Sequence, residues 1–312
     1  MHFEFATPPR IVFGPGTLAE AAPAAAQFGQ RALLVTRGQN PDAKRLARLL
    51  RDEGMEIVSF PVLEEPSTHL VGEGARLAQD ARCEVVVAIG GGSVLDAGKG
   101  IAALATNPGE PLDYLEVVGK GQKLSATPLP IITIPTTAGT GAEVTRNAVL
   151  ASPEHRVKAS LRDVRMTPRL AVIDPELTYD LPPAITASTG MDALTQLIEP
   201  FVSNKANPLT DAVCREGMVR AARALRPAYH SGDPTAREEM ALASLMGGIA
   251  LANAKLGAVH GFAGPLGGTL NAPHGAVCGR LMPFVMAANV RALHERAPQS
   301  EALRRGCPAN DR

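Results

Sequence analysis

The chain has 312 residues, with 31 basic and 31 acidic side chains, so its formal net charge is zero. That balance provides no broad field for nucleic acid or an anionic membrane surface, and 4% aromatic content without Trp leaves no stacking platform for single strands. No run of about 18 uncharged apolar residues marks a membrane span; the nearest stretch, Met240 to Ala254, contains Ser, Asn and two Gly and reads as a buried helix. The opening Met1-His2-Phe3-Glu4 lacks the basic and apolar regions of a secretion signal. Cys83, Cys214, Cys278 and Cys307 show no CxxC spacing and read as reduced thiols. The expectation is a cytoplasmic protein of two domains acting on a small molecule.

Along the first half, short apolar runs alternate with amphipathic stretches. Arg31 to Thr36 reads as a strand, and Pro41 to Asp52 as a helix with Leu46, Leu49 and Leu50 on one side. Glu56 to Phe60 is the next strand, followed by a helix around Val71 to Ala81. Cys83 to Ile89 is a continuous apolar run ending in glycines, Leu95 to Ala105 is helical, and Pro130 to Pro135 is a further strand. Strands apolar on both faces and separated by helices predict an α/β domain with a parallel sheet covered on two sides. From about Thr186 the sequence turns Ala- and Leu-rich, which predicts an all-α domain. Prolines between Asp174 and Pro183 place the hinge, giving domains 1–178 and 179–312 with a cleft between them.

Gly90-Gly91-Gly92-Ser93 directly follows a strand and opens a helix. Glycines there let the backbone approach a ligand, and free N–H groups at the helix start suit a phosphate. Ser93 reads as a cap and phosphate donor, and Asp96 as a capping-box acid. The pattern is neither GxGxxG nor a Walker loop, so a plain strand-to-helix turn stays open. A second loop, Pro135 to Thr145, carries Thr136, Thr137 and Thr140 among glycines at another strand end. Two such loops in an open sheet converge on one crevice.

Asp192 and Gln196 lie four apart on a helix and share a face. With His260 and His274 they form a carboxylate, an amide oxygen and two imidazoles, a donor set that suits Fe²⁺ or Zn²⁺.

Together these segments resemble the iron-containing (group III) alcohol dehydrogenase family. The resemblance runs in order through Val12 to Gly16, Gly90 to Lys99, Pro135 to Thr145, Asp174 to Leu177, Thr189 to Thr195, Gly257 to His260 and Pro273 to Gly275. It implies hydride transfer between a nicotinamide dinucleotide and a small alcohol or aldehyde, in the cleft between a dinucleotide-binding domain and a metal-binding helical domain. By position, Gly91, Gly92 and Ser93 would hold the pyrophosphate, Asp96, Thr136, Thr137 and Thr140 would belong to the cofactor site, and Lys158 would approach the ribose. Asp192, His260 and His274 match three of the four family metal ligands. A homo-oligomer is also implied.

Three positions depart from the family pattern. Gln196 stands where the family has a metal-binding His, so metal affinity or selectivity should change. Gly264 stands where many members carry a His near the nicotinamide, which leaves the proton to water or another group and slows the chemical step. Arg37 follows the first strand where NAD-preferring members carry an acid; a guanidinium favours the 2′-phosphate of NADP over NAD. Two other readings belong beside the leading one. A maleylacetate reductase-like enzyme would work without metal, although Thr137 to Gly141 and the Asp96/Lys99 helix start favour the alcohol dehydrogenase branch. The family also continues well past the His274 segment, so a shortened helical domain would expose Leu281, Phe284 and Val285 and impair catalysis.

Overall fold

A computed structural model describes residues 2–38, 40–270, 272–296 and 299. After β1 (Ile11–Phe13) and α1 (Ala21–Ala26), the chain enters β2 (Arg31–Thr36), α2 (Pro41–Asp52), β3 (Glu56–Pro61) and α3 (Thr68–Asp80). It continues through β4 (Val85–Gly90), α4 (Gly92–Leu104), the single turn α5 (Pro111–Tyr114) and β5 (Ile131–Pro135). The helices begin where the sequence supplies caps. The Asn40 side chain accepts from Ala43 N–H, with Pro41 in the first turn, and Ser67 does the same for Leu70. Leu46 and Leu50 of α2 turn inward against the buried Leu34 and Val87.

The main sheet is parallel throughout, in the order β1-β8-β5-β4-β2-β3, with β8 at Leu170–Ile173. Every residue of β4 is buried, as expected for a strand covered on both faces. An antiparallel hairpin, β6 (Asn147–Ser152) with β7 (Val157–Arg162), lies outside that sheet. Neither the hairpin nor the edge strand β1 and its neighbour β8 stood out in the sequence: β6 and β7 are only half-buried, β1 is three residues long and β8 four. The chain runs outward from β2 to β3, then returns to build β4 and β5 on the opposite side of β2. The strand order therefore reverses between β2 and β4, and the carboxyl ends of those strands flank the crevice where such sheets bind ligands.

A short 3-10 turn, Pro175–Thr178, leads to the helical part: α6 (Pro183–Phe201), α7 (Pro208–His230), α8 (Pro234–Ala254), α9 (Ala258–Leu270) and α10 (His274–Arg296). Buried Ala193, Leu197, Ala221, Ala224 and Met240 pack α6, α7 and α8 together. Arg237 of α8, 4% exposed, pins the hinge by donating to the carbonyls of Thr178 at 2.5 Å and Leu181 at 3.0 Å. Among the described residues α10 is the helix long and apolar enough by composition to cross a membrane, Arg280 and Arg291 having interrupted the uncharged run that the sequence criterion requires. Its first two turns nevertheless belong to a polar cluster on α6. Phe284 is 58% exposed, and Leu281 and Val285 are partly buried.

Candidate metal and dinucleotide site

The two loops read from the sequence leave adjacent strands at paired residues, Gly90 of β4 and Pro135 of β5. They touch. A Cβ on Gly92 would meet the Thr140 side chain at 2.8 Å, and one on Gly91 would meet Thr137 at 3.5 Å. Glycine at 92 is thus required for the loops to converge. On the helical side, Gly141 has φ +59 and approaches Gly248 of α8 so closely that a Cβ would lie 2.3 Å from its Cα. Gly91, Gly92, Ser93, Thr136, Thr137 and Thr140 all retain partial exposure at this edge. Arg37 is exposed immediately after β2, on the other flank of the crevice.

Two side chains at the glycine turn differ from their expected roles. The helix is capped by Gly91 rather than Ser93, which falls inside the first turn. Asp96 closes no capping box: its carboxylate is 2.8 Å from Lys99 Nζ and accepts from Val149 N–H at 3.0 Å. Lys99, with no exposed side-chain surface, also donates to Ala142 O at 3.0 Å and Thr145 Oγ1 at 2.8 Å. Its three N–H donors meet three acceptors, which locks α4 to the second loop. Beside it, burial pushes the Glu143 carboxyl up to about 7, although its own backbone N–H and the Lys99 charge act in the opposite sense.

The polar cluster forms where α6, α9 and α10 meet. Asp192, Gln196 and Glu199 lie at i, i+4 and i+7 on α6, all buried. Gly275 lets the start of α10 come against α6, since a Cβ there would be 2.1 Å from Ser188 O. Gly257 likewise lets Glu199 reach the start of α9. As a result His260 Nε2 is 3.2 Å from Asp192 Oδ1, and His274 Nε2 is 3.7 Å from the same oxygen. Cys278, one turn beyond His274, places Sγ 3.8 Å from His260 Nε2 and 3.6 Å from His274 Nε2. One ligand atom from each of Asp192, His260, His274 and Cys278 lies within 4.8 Å of the others.

Glu199 completes this arrangement. Its Oε2 is 2.6 Å from His260 Nδ1, and its Oε1 accepts from Val259 N–H at 2.6 Å. A carboxylate on Nδ1 fixes the imidazole so that Nε2 faces the cluster, as metal-ligating histidines require. Burial opposes charge on His260, but hydrogen bonds to Asp192, Cys278 and Glu199 prevail and push it up to about 11. Burial also opposes charge on Glu199, yet the His260 and backbone hydrogen bonds hold its carboxyl below the usual range. For His274, burial prevails and lowers the pKa; burial raises the Cys278 thiol. A protonated His260 donates from Nδ1 to Glu199 and from Nε2 to Asp192, and a cation binding at Nε2 takes the place of the second proton.

The structure brings together Asp192, His260 and His274 as the sequence suggested, and adds Glu199 and Cys278. Gln196 is one turn from Asp192, but its Nε2 donates to Gly139 O at 2.8 Å. It thereby joins the cluster-bearing helix to the second loop. Lys158 of β7 pairs with Glu65 at 3.2 Å, and both charges reach the His274 imidazole. At Gly264 nothing lies within 4 Å of a built Cβ, so the space for a side chain is open. Glu199 was visible as the i+7 partner of Asp192, and Cys278 as the i+4 partner of His274. Neither residue type at that spacing is unusual enough to be singled out from sequence.

A parallel sheet with a ligand crevice at its order reversal, joined to a helical cluster of metal-ligand character, defines a metal-assisted dinucleotide oxidoreductase. Known proteins agree. Residues 8–175 match the profile of the iron-containing alcohol dehydrogenases, and residues 186–307 match the C-terminal domain of the same family. The chain is 38% identical over 296 residues to alcohol dehydrogenase 4 of Saccharomyces cerevisiae (strain YJM789), covering 92% of this chain and 76% of that protein. It is 38% identical over 303 residues to the 1,3-propanediol dehydrogenase of Klebsiella pneumoniae, covering 94% and 77%. The NAD-dependent methanol dehydrogenase of Bacillus methanolicus is 36% identical, covering 94% and 77%. A crystal structure of a 1,3-propanediol oxidoreductase superposes with a TM-score of 0.89 at 37% identity, covering 94% of this chain and 77% of that one. The chain belongs to the iron-containing alcohol dehydrogenase family.

Proposed function

We propose that this protein is a metal-dependent, nicotinamide-linked alcohol dehydrogenase that interconverts a small alcohol and its aldehyde. The observation that carries the reading is the coupling of the two half-sites. Gln196, on the same helix face as Asp192, holds the carbonyl of Gly139 in the cofactor loop. In this reading Gly91, Gly92 and Ser93 cradle the pyrophosphate, and the Thr136, Thr137 and Thr140 hydroxyls line the rest of the dinucleotide. Lys158 approaches the ribose, while Asp96 acts on the cofactor indirectly by holding Lys99.

Asp192, His260 and His274 supply one hard oxygen and two imidazole nitrogens, a set that fits Zn²⁺ or Fe²⁺. When bound, such an ion supplies Lewis acidity toward the substrate oxygen, and the nicotinamide supplies or accepts the hydride. Glu199 keeps His260 in the tautomer that offers Nε2. With Gly at 264, the space beside the site admits water for the proton transfer.

The cofactor preference in this reading leans to NADP(H): the exposed Arg37 can form charge-assisted hydrogen bonds to a 2′-phosphate. The NAD-dependent methanol dehydrogenase among the relatives supports the opposite choice. Comparing kcat/KM for the two cofactors in wild type and Arg37→Asp decides it; a preference the variant leaves unchanged removes Arg37 from the explanation. The three described cysteines are free thiols, in keeping with a cytoplasmic setting. For the activity itself, Asp192→Ala should lower kcat/KM for short aldehydes by at least about 10³-fold while leaving NADPH or NADH binding intact. Undiminished turnover in that variant would overturn the mechanism.

A further inference from the structure

Gln196 takes the place of a family metal-binding His, yet its amide nitrogen is committed elsewhere. Gly139 O can only accept, so Nε2 must face it, and the helix position that would supply a fourth imidazole instead braces the cofactor loop. A further donor reaches the cluster from another helix. Cys278 is fully buried, one turn after His274, with Sγ 3.6 Å from His274 Nε2 and 3.8 Å from His260 Nε2.

These separations can be compared with a metal tetrahedron. Bonds of ordinary length to zinc, at the tetrahedral angle, put N and O ligand atoms about 3.4 Å apart and N and S atoms about 3.6 Å apart. The two N···O separations here are 3.2 and 3.7 Å, and the two N···S separations are 3.6 and 3.8 Å. The two remaining separations lie within 4.8 Å, so side-chain rotation that draws those pairs closer brings all four atoms onto one ion. The other described cysteines, Cys83 and Cys214, belong to no such group.

We infer that Cys278 is the fourth metal ligand, giving an Asp192–His260–His274–Cys278 site in place of a one-acid, three-imidazole set. The inference rests on the metal-dependent reading above. On binding, the Cys278 S–H bond breaks, its proton passes to solvent, and the sulfur lone pair forms the bond to the ion; no oxidation state changes. A thiolate alongside the Asp192 carboxylate neutralises a divalent ion, and its softness favours Zn²⁺ over Fe²⁺.

Co²⁺ added to the metal-stripped full-length protein tests this by absorption spectroscopy, independently of turnover. Wild type should bind one Co²⁺ and show a near-ultraviolet thiolate-to-cobalt charge-transfer band. Cys278→Ser should lose that band, keep the visible d–d bands and bind Zn²⁺ at least about tenfold more weakly. The wild-type spectrum needs no variant to fold. Binding of one Co²⁺ without the band, or a band that persists in Cys278→Ser, overturns the assignment of Cys278 and leaves the three-residue site standing. Failure of wild type to bind Co²⁺ at all overturns the metal-dependent reading and this inference with it.

Discussion

Glu199→Gln replaces one carboxylate oxygen by an NH₂ group with almost no change in volume, yet the surrounding donors make it a severe change. Val259 N–H points at Oε1 from 2.6 Å and can only donate, so the amide oxygen must remain there. The new NH₂ then faces His260 Nδ1, now 2.6 Å from Oε2. Two donors cannot share that contact. Nδ1 must become the acceptor, which moves the imidazole proton to Nε2, the atom aimed at Asp192 and Cys278. Reversing the amide merely transfers the conflict to Val259. Outer-shell carboxylates of this kind are worth about 10–100-fold in metal affinity, which corresponds to about 1.4–2.7 kcal/mol. Competition of Zn²⁺ between the protein and a chromophoric chelator measures it. Expected is a 10–100-fold weaker Zn²⁺ affinity in Glu199→Gln. Equal affinity in wild type and variant would refute the claim that Glu199 sets the His260 tautomer.

Lys99→Met strips the buried cation from Asp96, Ala142 O and Thr145, and breaking such a pair should cost about 3–5 kcal/mol of stability in urea denaturation; a loss below about 1 kcal/mol would contradict the locking role. Glu143 releases its proton near 4.5 when unfolded and at about 7 when folded, so the folded state binds more protons between those values and stability falls as pH rises through that window. Glu143→Gln should therefore gain on wild type by up to about 3 kcal/mol between pH 4.5 and 8 in denaturant titrations; parallel pH dependences in the two proteins would sink this. Gly264→His enters open space beside the cluster and should raise kcat at neutral pH about tenfold or more, adding a limb between about pH 6 and 7 to the pH–rate profile. An unchanged profile would show that the position takes no part in proton transfer.

The parallel sheet was legible because β2, β4 and β5 are apolar on both faces, and the helices because amphipathic runs such as Pro41 to Asp52 separate those strands. The hairpin β6–β7 was hidden by alternating half-burial over only six residues a side. Asp192 was read with Gln196 from their shared helix face, and His260 and His274 were joined to it by donor chemistry and by family pattern. What sequence could not show was contact across helices. Glu199 and Cys278 become site residues only because Gly257 and Gly275 let α9 and α10 press against α6. Gln196 was expected to offer oxygen to a metal. Its nitrogen reaches a carbonyl 57 residues away, a partner no local pattern reveals. Asp96 was misread for the same reason, since Val149 and Lys99 compete successfully for its carboxylate.

Metal dependence is tested most directly by chelating the purified protein to below one metal per hundred chains and assaying short aldehydes with NADH and NADPH. One equivalent of Zn²⁺ or Fe²⁺ is then added back in increments. The expected result is no turnover without metal and a linear recovery that saturates at one ion per chain. Full turnover with either cofactor in the metal-free protein would contradict the assignment of Asp192, His260 and His274 as a catalytic metal site.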